Sequence, residues 1–446
     1  MSSNSKGKPM KLSYSVLAII ACELASWGSE PLMLSKAYDL ALKNEPHLRS
    51  VTLQVEATKE STEQSRARIY PQLQATVSWG KYEYEAPYLS KPVKEEYRNY
   101  SISASQALYH PEIYSAIHES KSRETAARNE LQAEVQKLGL DVAKAYFNLL
   151  RIQRNVELFK SKREFYESKY KQLDEMLKIG LTNRMDFLEA KIHSDKALSE
   201  LLAEQKRLQV GTLRLEHLIK EPVGELPSFD FTAINTDKLF LDRAQWESKL
   251  SNNPKLKASI ASKEMAMHQA ASRKYGHYPK VDLNINRKET FTQDTVAHNY
   301  DNQAIVQMSI PIYEGGYTQS RVREGILLMD SAQQEVEFNR LDSKLRFEEF
   351  WAEHELNIET MRAYKESEKS AELFLESVEK GNKAGLKSVV DVLEAKAKLY
   401  EVKRDTIDAG YELVNNYLSL LAVSGELNSE NIVSLENMAV SRGNIR

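Results

Sequence analysis

Two acid pairs stand out for the chemistry that their spacing allows. Asp391 and Glu394, and likewise Asp186 and Glu189, are three residues apart at the start of a helix-forming run. That spacing sets both carboxylates of a pair on one helix face. Such a pair can serve its own helix, because negative charge is favoured at a helix N-terminus. If several copies of the chain converge, the same acids form a ring that attracts cations and restricts anions. Close carboxylates in such a ring repel by about 1 kcal/mol per pair even in water, and by more in a narrow pore. For Asp186 and Glu189 the helix-terminal role and the ring role have equal standing.

The acids belong to matched stretches. Gly385-Leu386-Lys387-Ser388-Val389-Val390-Asp391-Val392-Leu393-Glu394-Ala395-Lys396 shares seven of twelve residues with Gly180-Leu181-Thr182-Asn183-Arg184-Met185-Asp186-Phe187-Leu188-Glu189-Ala190-Lys191, at an offset of 205. In each, a long helical run meets a Gly-Leu break, and Gly supplies the left-handed exit that ends a helix. Ser388 or Asn183 then caps the next helix. Each stretch is therefore expected to be a tight turn between antiparallel helices. The returning helices carry seven-residue spacing: Leu393, Tyr400, Ile407, Val414 and Leu421 in one, Leu201, Leu208 and Leu215 in the other. Such a repeat wraps helices around neighbours in a left-handed sense.

Further landmarks recur in the same order. Asn44-Glu45-Pro46-His47-Leu48 returns as Asn252-Asn253-Pro254-Lys255-Leu256, and Ile69-Tyr70-Pro71 as His277-Tyr278-Pro279, both at 208; Tyr109 and Tyr313 pair at 204. This predicts an internal duplication with halves 30–229 and 230–427. Each half reads helix, strand, strand, long helix, long helix. The first has a helix from Pro46 to Arg68, a β-hairpin over 72–109 and helices over 111–178 and 183–220. The second has a helix over 254–277, a hairpin over 280–313 and helices over 318–379 and 388–424. Leu73, Ala75, Val77 and Trp79 alternate with polar residues, as do Tyr100, Ile102 and Ala104, then Val281, Leu283 and Ile285, then Val306, Met308, Ile310 and Ile312. Strands of about ten residues, apolar on one face, with aromatic ends, suit a membrane barrel. Residues 221–250, rich in Pro and Gly, and the tail 425–446 are expected to pack outside the long helices as an equatorial region.

Charged residues are 28% of the 446, net charge is −3, and mean hydropathy is −0.53. That balance favours long solvent-washed helices and leaves no nucleic-acid footprint. Lys6, Lys8 and Lys11 precede a short apolar run, Val16-Leu17-Ala18-Ile19-Ile20-Ala21, which reads as a secretory signal over 1–29. Cys22, the only cysteine, either leaves with that signal or accepts a lipid, since Ile19-Ile20-Ala21-Cys22 resembles a lipoprotein box. No other run reaches the ~18 apolar residues of a membrane helix. The nine histidines form no metal or catalytic motif, and no phosphate loop or nucleophile elbow occurs, so no cofactor and no enzyme activity are expected.

Four strands cannot close a barrel in lipid, so copies must pool them, in a number the strand count leaves open. Together with the duplicated landmarks, Ser309-Ile310-Pro311-Ile312-Tyr313-Glu314-Gly315-Gly316 and Leu421-Ala422-Val423-Ser424-Gly425-Glu426-Leu427 complete a set that resembles the TolC family of outer-membrane channels over essentially the whole mature chain. The resemblance implies a membrane α+β fold: a homotrimer whose twelve-stranded outer-membrane β-barrel, four strands per chain, continues as a long α-helical coiled-coil barrel in the periplasm. It implies an exit duct for efflux or type I secretion in a Gram-negative outer membrane. Its partners would be a periplasmic adaptor protein, an inner-membrane transporter of RND, ABC or MFS type, and outer-membrane lipid. It also implies an entrance ring at Asp391 and Glu394, the family normally having Asp at the second position. The family's gate-latch positions match Asn382 and Lys387 on one tip and Met185 and Asp186 on the other, which leaves Lys387–Asp186 as the expected latch. Gly180, Leu181, Thr182, Gly385 and Leu386 would meet the adaptor. A soluble periplasmic coiled-coil scaffold or adaptor is the alternative.

Overall fold

The computed structural model describes residues 31–84, 92–231, 242–292 and 298–439. The expected signal segment with Cys22, residues 232–241 of the equatorial stretch and 440–446 of the tail lie outside the described residues. In chain order the elements are α1 (Leu34–Asn44), α2 (Pro46–Ala67), β1 (Gln72–Tyr84), β2 (Val93–Tyr109), α3 (Pro111–Lys178), α4 (Arg184–Ile219), α5 (Arg243–Lys249), α6 (Pro254–Lys274), β3 (Lys280–Thr292), β4 (His298–Ser309), α7 (Tyr317–Lys383), α8 (Val389–Val423) and α9 (Ser429–Ala439).

Two rods dominate. α3 has 68 residues and α7 has 67, with no proline beyond the first position of α3, so each runs uninterrupted for about 100 Å. α4 returns along the distal part of α3 and α8 along that of α7, while α2 lies on the sheet-proximal part of α3 and α6 between α3 and α7. The Asn-Pro motifs join these tiers. Asn44 donates from Nδ2 to the carbonyl of Ile219, at the end of α4 (3.1 Å), and Asn253 does the same to Val423, at the end of α8 (3.0 Å). Each satisfies a carbonyl that a helix C-terminus would otherwise orphan. Pro46 and Pro254 start the following helix, where a missing N–H costs nothing.

The main core lies at the level of these joints. It gathers Leu34, Tyr38 and Ala41 of α1, Phe147 and Leu150 of α3, Phe347 and Trp351 of α7, Leu413, Val414 and Leu418 of α8, and Ile432 and Leu435 of α9. Phe229, Phe231 and Trp246 close over it, so the equatorial stretch is anchored by buried aromatics. The heptad residues Leu393, Tyr400, Ile407, Val414 and Leu421 are all buried. α1, absent from the expected element list, carries its buried residues Leu34, Ala37, Tyr38 and Ala41 at helical spacing.

The four strands form one antiparallel sheet in the order β1-β2-β3-β4, the pairing of β2 with β3 joining the hairpins. Directly opposed residues share a face. Leu73, Ala104, Ile285 and Ala304 align on one face, and Gln74, Ser103, Asn286 and Gln303 on the other. β4 stops at Ser309 rather than continuing to 313, because Pro311 has no N–H to donate. β1 and β2 run longer than ten residues, and their far ends are tied by the ion pairs Lys81–Glu96 and Lys94–Glu83. No described helix is long and apolar enough to cross a membrane.

Candidate functional site

Both tips close by the same backbone device. Gly180 and Gly385 have φ of 76° and 73°. Leu181 N–H reaches back to the carbonyl of Met176 (2.8 Å) and Leu386 N–H to that of Gly381 (2.9 Å), the six-residue closure that glycine permits. Asn382 adds a second lock, donating from Nδ2 to the carbonyl of Lys387 at 2.8 Å. The returning helices are capped at once. Asn183 Oδ1 accepts from the Asp186 N–H at 2.8 Å, and Ser388 Oγ from the Asp391 N–H at 3.0 Å. These bonds leave Leu181, Met185 and Leu386 projecting into solvent, each more than two-thirds exposed.

The acids differ in what holds them. Asp391 closes a capping box: its Oδ2 accepts from the Ser388 N–H (2.7 Å) and from the Ser388 hydroxyl (2.9 Å). Those hydrogen bonds, with Lys387 as a lesser contribution, hold its carboxyl below the usual carboxylate range. Lys387 Nζ stands 3.5 Å from Asp391 Oδ1, so within one chain its carboxylate partner is Asp391, four residues on, rather than Asp186. Asp186 instead takes the Thr182 hydroxyl, at 3.4 Å. The expected Lys387–Asp186 contact is therefore not made within the chain, where the i,i+4 spacing favours the local partner.

Glu189 and Glu394 both act through their charge on a residue the sequence did not single out, His193. The ring of His193, on α4, stacks on that of Tyr166, on α3, with centroids 5.1 Å apart and planes 10° apart. Tyr166 is fully buried and donates its hydroxyl to the Leu393 carbonyl of α8 at 3.0 Å, tying the two hairpins together just behind their tips. Burial lowers the His193 pKa; Glu189 and Glu394 pull it upward, while Lys196 and Lys162 reinforce the lowering. A histidine with a depressed folded pKa contributes stability that is present above its free value near 6.5 and lost as pH falls below it, because the unfolded chain takes up the proton first. His193→Phe keeps the stack and removes the titration. Its thermal-unfolding midpoint is expected to fall less than that of the parent between about pH 6.5 and 5. Superimposable pH profiles would refute the coupling.

The family model for outer membrane efflux proteins matches residues 37–219 and 247–426, most of the chain. This chain belongs to the outer membrane efflux protein family. Outer membrane protein TolC of Vibrio cholerae is 25% identical over 411 residues, covering 90% of this chain and 92% of that one. Proteases secretion protein PrtF of Dickeya chrysanthemi is 22% identical over 439 residues, covering 94% of each. The crystal structure of the outer membrane protein VceC from Vibrio cholerae superimposes with a TM-score of 0.78 at 17% identity, over 88% of this chain and 96% of that one. The efflux protein is thus an outer-membrane protein of the TolC type that reaches into the periplasm, and not an enzyme. Membership also removes the alternative of a soluble scaffold.

Proposed function

We propose that this efflux protein is the exit duct of a tripartite efflux pump or type I secretion system, built as a homotrimer of a duplicated chain. The observation that carries the trimeric wall is the sheet. One face exposes Leu73, Val77, Trp79, Ile102, Val306 and Met308, and among the described residues the outer edges of β1 and β4 have no partner strand. Unpaired edges are untenable in lipid, and pooling four strands from each of three chains closes them. Exposed Tyr70, Tyr109 and Tyr313 at one end, with Trp79, Tyr100 and Tyr300 at the other, suit two aromatic girdles. The double match of the family model and the parallel Asn44 and Asn253 joints support the duplication.

Three second tips meeting on the axis bring Asp391 and Glu394 into an acidic entrance. Lys387 exchanges Asp391 for a neighbouring chain's Asp186 when the entrance is latched, with Asn382 and Met185 at the flanking latch positions. Gly180, Leu181, Thr182, Gly385 and Leu386 form the rim against which a periplasmic adaptor docks. The inner-membrane transporter, of RND, ABC or MFS type, stands beyond that adaptor, and outer-membrane lipid surrounds the barrel. PrtF is by name a protein-secretion component, so protein cargo and drug cargo both fit.

Single-channel recordings in planar bilayers test the entrance. Asp391→Ala should lower cation-over-anion permeability several-fold. Lys387→Ala and Asp186→Asn should each raise resting conductance, and the double variant should raise it no further, as expected for two ends of one contact. A silent Asp186→Asn would remove the latch, and an unchanged ion preference in Asp391→Ala would remove the ring.

A further inference from the structure

The outward face of the sheet carries charges that look misplaced in register. Arg287 aligns with Ala75, Ile102 and Asn302, and Glu289 aligns with Val77, Tyr100 and Tyr300. If these rows ran parallel to the membrane plane, an ion pair, Arg287 to Glu289 at 2.6 Å, would sit at the level of Ala75 and Val77 in the acyl chains. A charge there is strongly disfavoured.

The edge of the apolar band resolves the conflict. Going outward from the helices, the first charged residue on this face is Lys81 on β1, Arg98 on β2 and Arg287 on β3, and β4 first meets the amide Asn302; the amide Gln106 of β2, in the row of Leu283 and Val306, lies within the band below Arg98. Lys81 aligns with Glu96, so the edge steps down two residues to Arg98; it steps down four more to Arg287, which aligns with Ile102, and then none to Asn302. The lower side shifts the same way: Leu73 is the lowest outward apolar residue of β1, whereas β4 continues to Met308, four residues below the row of Leu73. A band that drops an average of two residues per strand is level only if the strands are tilted. At ~3.3 Å per residue and ~4.8 Å between strands, the tilt is about 50–55° from the membrane normal, somewhat steeper than usual.

Resting on the membrane-wall reading above, we infer that the outer boundary of the bilayer runs along the diagonal Lys81–Arg98–Arg287–Asn302, and that Arg98 and Arg287 are contacts for the phosphate of anionic outer-leaflet lipid headgroups. Both arginines are exposed on the outward face, and exposed Trp79, Tyr100 and Tyr300 each lie two residues from this diagonal, at Lys81, Arg98 and Asn302, as an interfacial belt requires. A guanidinium takes phosphate through paired N–H donors, and the Arg287 fork keeps donors to spare beyond those aimed at Glu289. Ala75 and Val77, in the same rows but on β1, fall inside the apolar layer.

Depth-sensitive spin labelling separates the possibilities. Labels at Ala75→Cys and Asn302→Cys, in the full chain with Cys22→Ser and reconstituted in phosphatidylcholine vesicles, should differ in depth by about 10 Å, Ala75 being reached by oxygen and Asn302 by an aqueous nickel chelate. Equal burial of both labels would overturn the diagonal and leave the membrane wall standing; aqueous access at both would remove the membrane wall itself. For the headgroup contact, the trimer dissociation temperature is measured in the same vesicles with and without lipid A. Lipid A should raise it in the parent and raise it by less than half as much in Arg98→Gln/Arg287→Gln, while inorganic phosphate should leave it unchanged. An equal rise in parent and variant, or an equal effect of free phosphate, would overturn the assignment.

Discussion

Val306→Arg should nearly abolish the assembled protein in the outer membrane. Val306 stands opposite Leu283 on β3, beside Ala304 and Met308, in the middle of the outward apolar run of β4. An arginine near the bilayer midplane of a barrel costs about 2–4 kcal/mol, and a ring of three chains incurs that cost three times, roughly 6–12 kcal/mol per trimer. Totals of that size rival the whole stability of an ordinary domain. The matched control is Gln303→Arg, three residues away on the opposite face among Asn286, Ser103 and Gln74, where a polar interior tolerates charge. Heat-modifiable trimer on unboiled gels is the measurement. Equal yields of the two variants would mean that the apolar face does not meet lipid.

Gly410→Val should break the belt, the equatorial stretch that Phe229, Phe231 and Trp246 anchor on the main core. A Cβ at Gly410 would stand 2.7 Å from the Phe231 carbonyl oxygen and 2.7 Å from its Cβ. The first of these is backbone, so no rotamer change relieves it, and residues 229–231 must lift away from α8. Phe229 and Phe231 then withdraw from Phe147 and Tyr411, whose rings they touch. Overpacking alone costs about 1–3 kcal/mol, and partial loss of two buried aromatics adds a similar amount. Gly410→Ala should show most of the clash. Gly224→Ala, with nothing within 4 Å of its added carbon, should behave as the parent. Thermal unfolding followed by circular dichroism reads the difference. If Gly410→Val melts with Gly224→Ala, the belt does not depend on this close approach.

Much of the element layout was legible because punctuation residues set it. Pro111 starts α3 where expected, and the Gly-Leu breaks end α3 and α7 within a few residues of the anticipated points. Alternation exposed the strands because one face is apolar along most of each. α1 gives little signal of its own because it is short and adjoins the expected signal segment, where apolar residues already have an explanation. At the tips, the caps and the exposed leucines could be read from local spacing. The Tyr166–His193 stack could not, since it depends on how α3, α4 and α8 meet, with Tyr166 and Leu393 227 positions apart. The Lys387–Asp391 pair follows from i,i+4 spacing alone, whereas a Lys387–Asp186 latch needs a neighbouring chain, which local spacing cannot supply.

The unbroken rods have a mechanical corollary. The belt grips α7 at Phe347, Trp351 and Ile358, and from Ile358 to Gly385 there are 27 residues with no proline to absorb bending. That arm is about 40 Å long, so rotating α7 by about 5° within the belt swings its free end by about 3–4 Å. A hand placed on the waist of the molecule could thus work a door far below it, with no change in the door's own hinges.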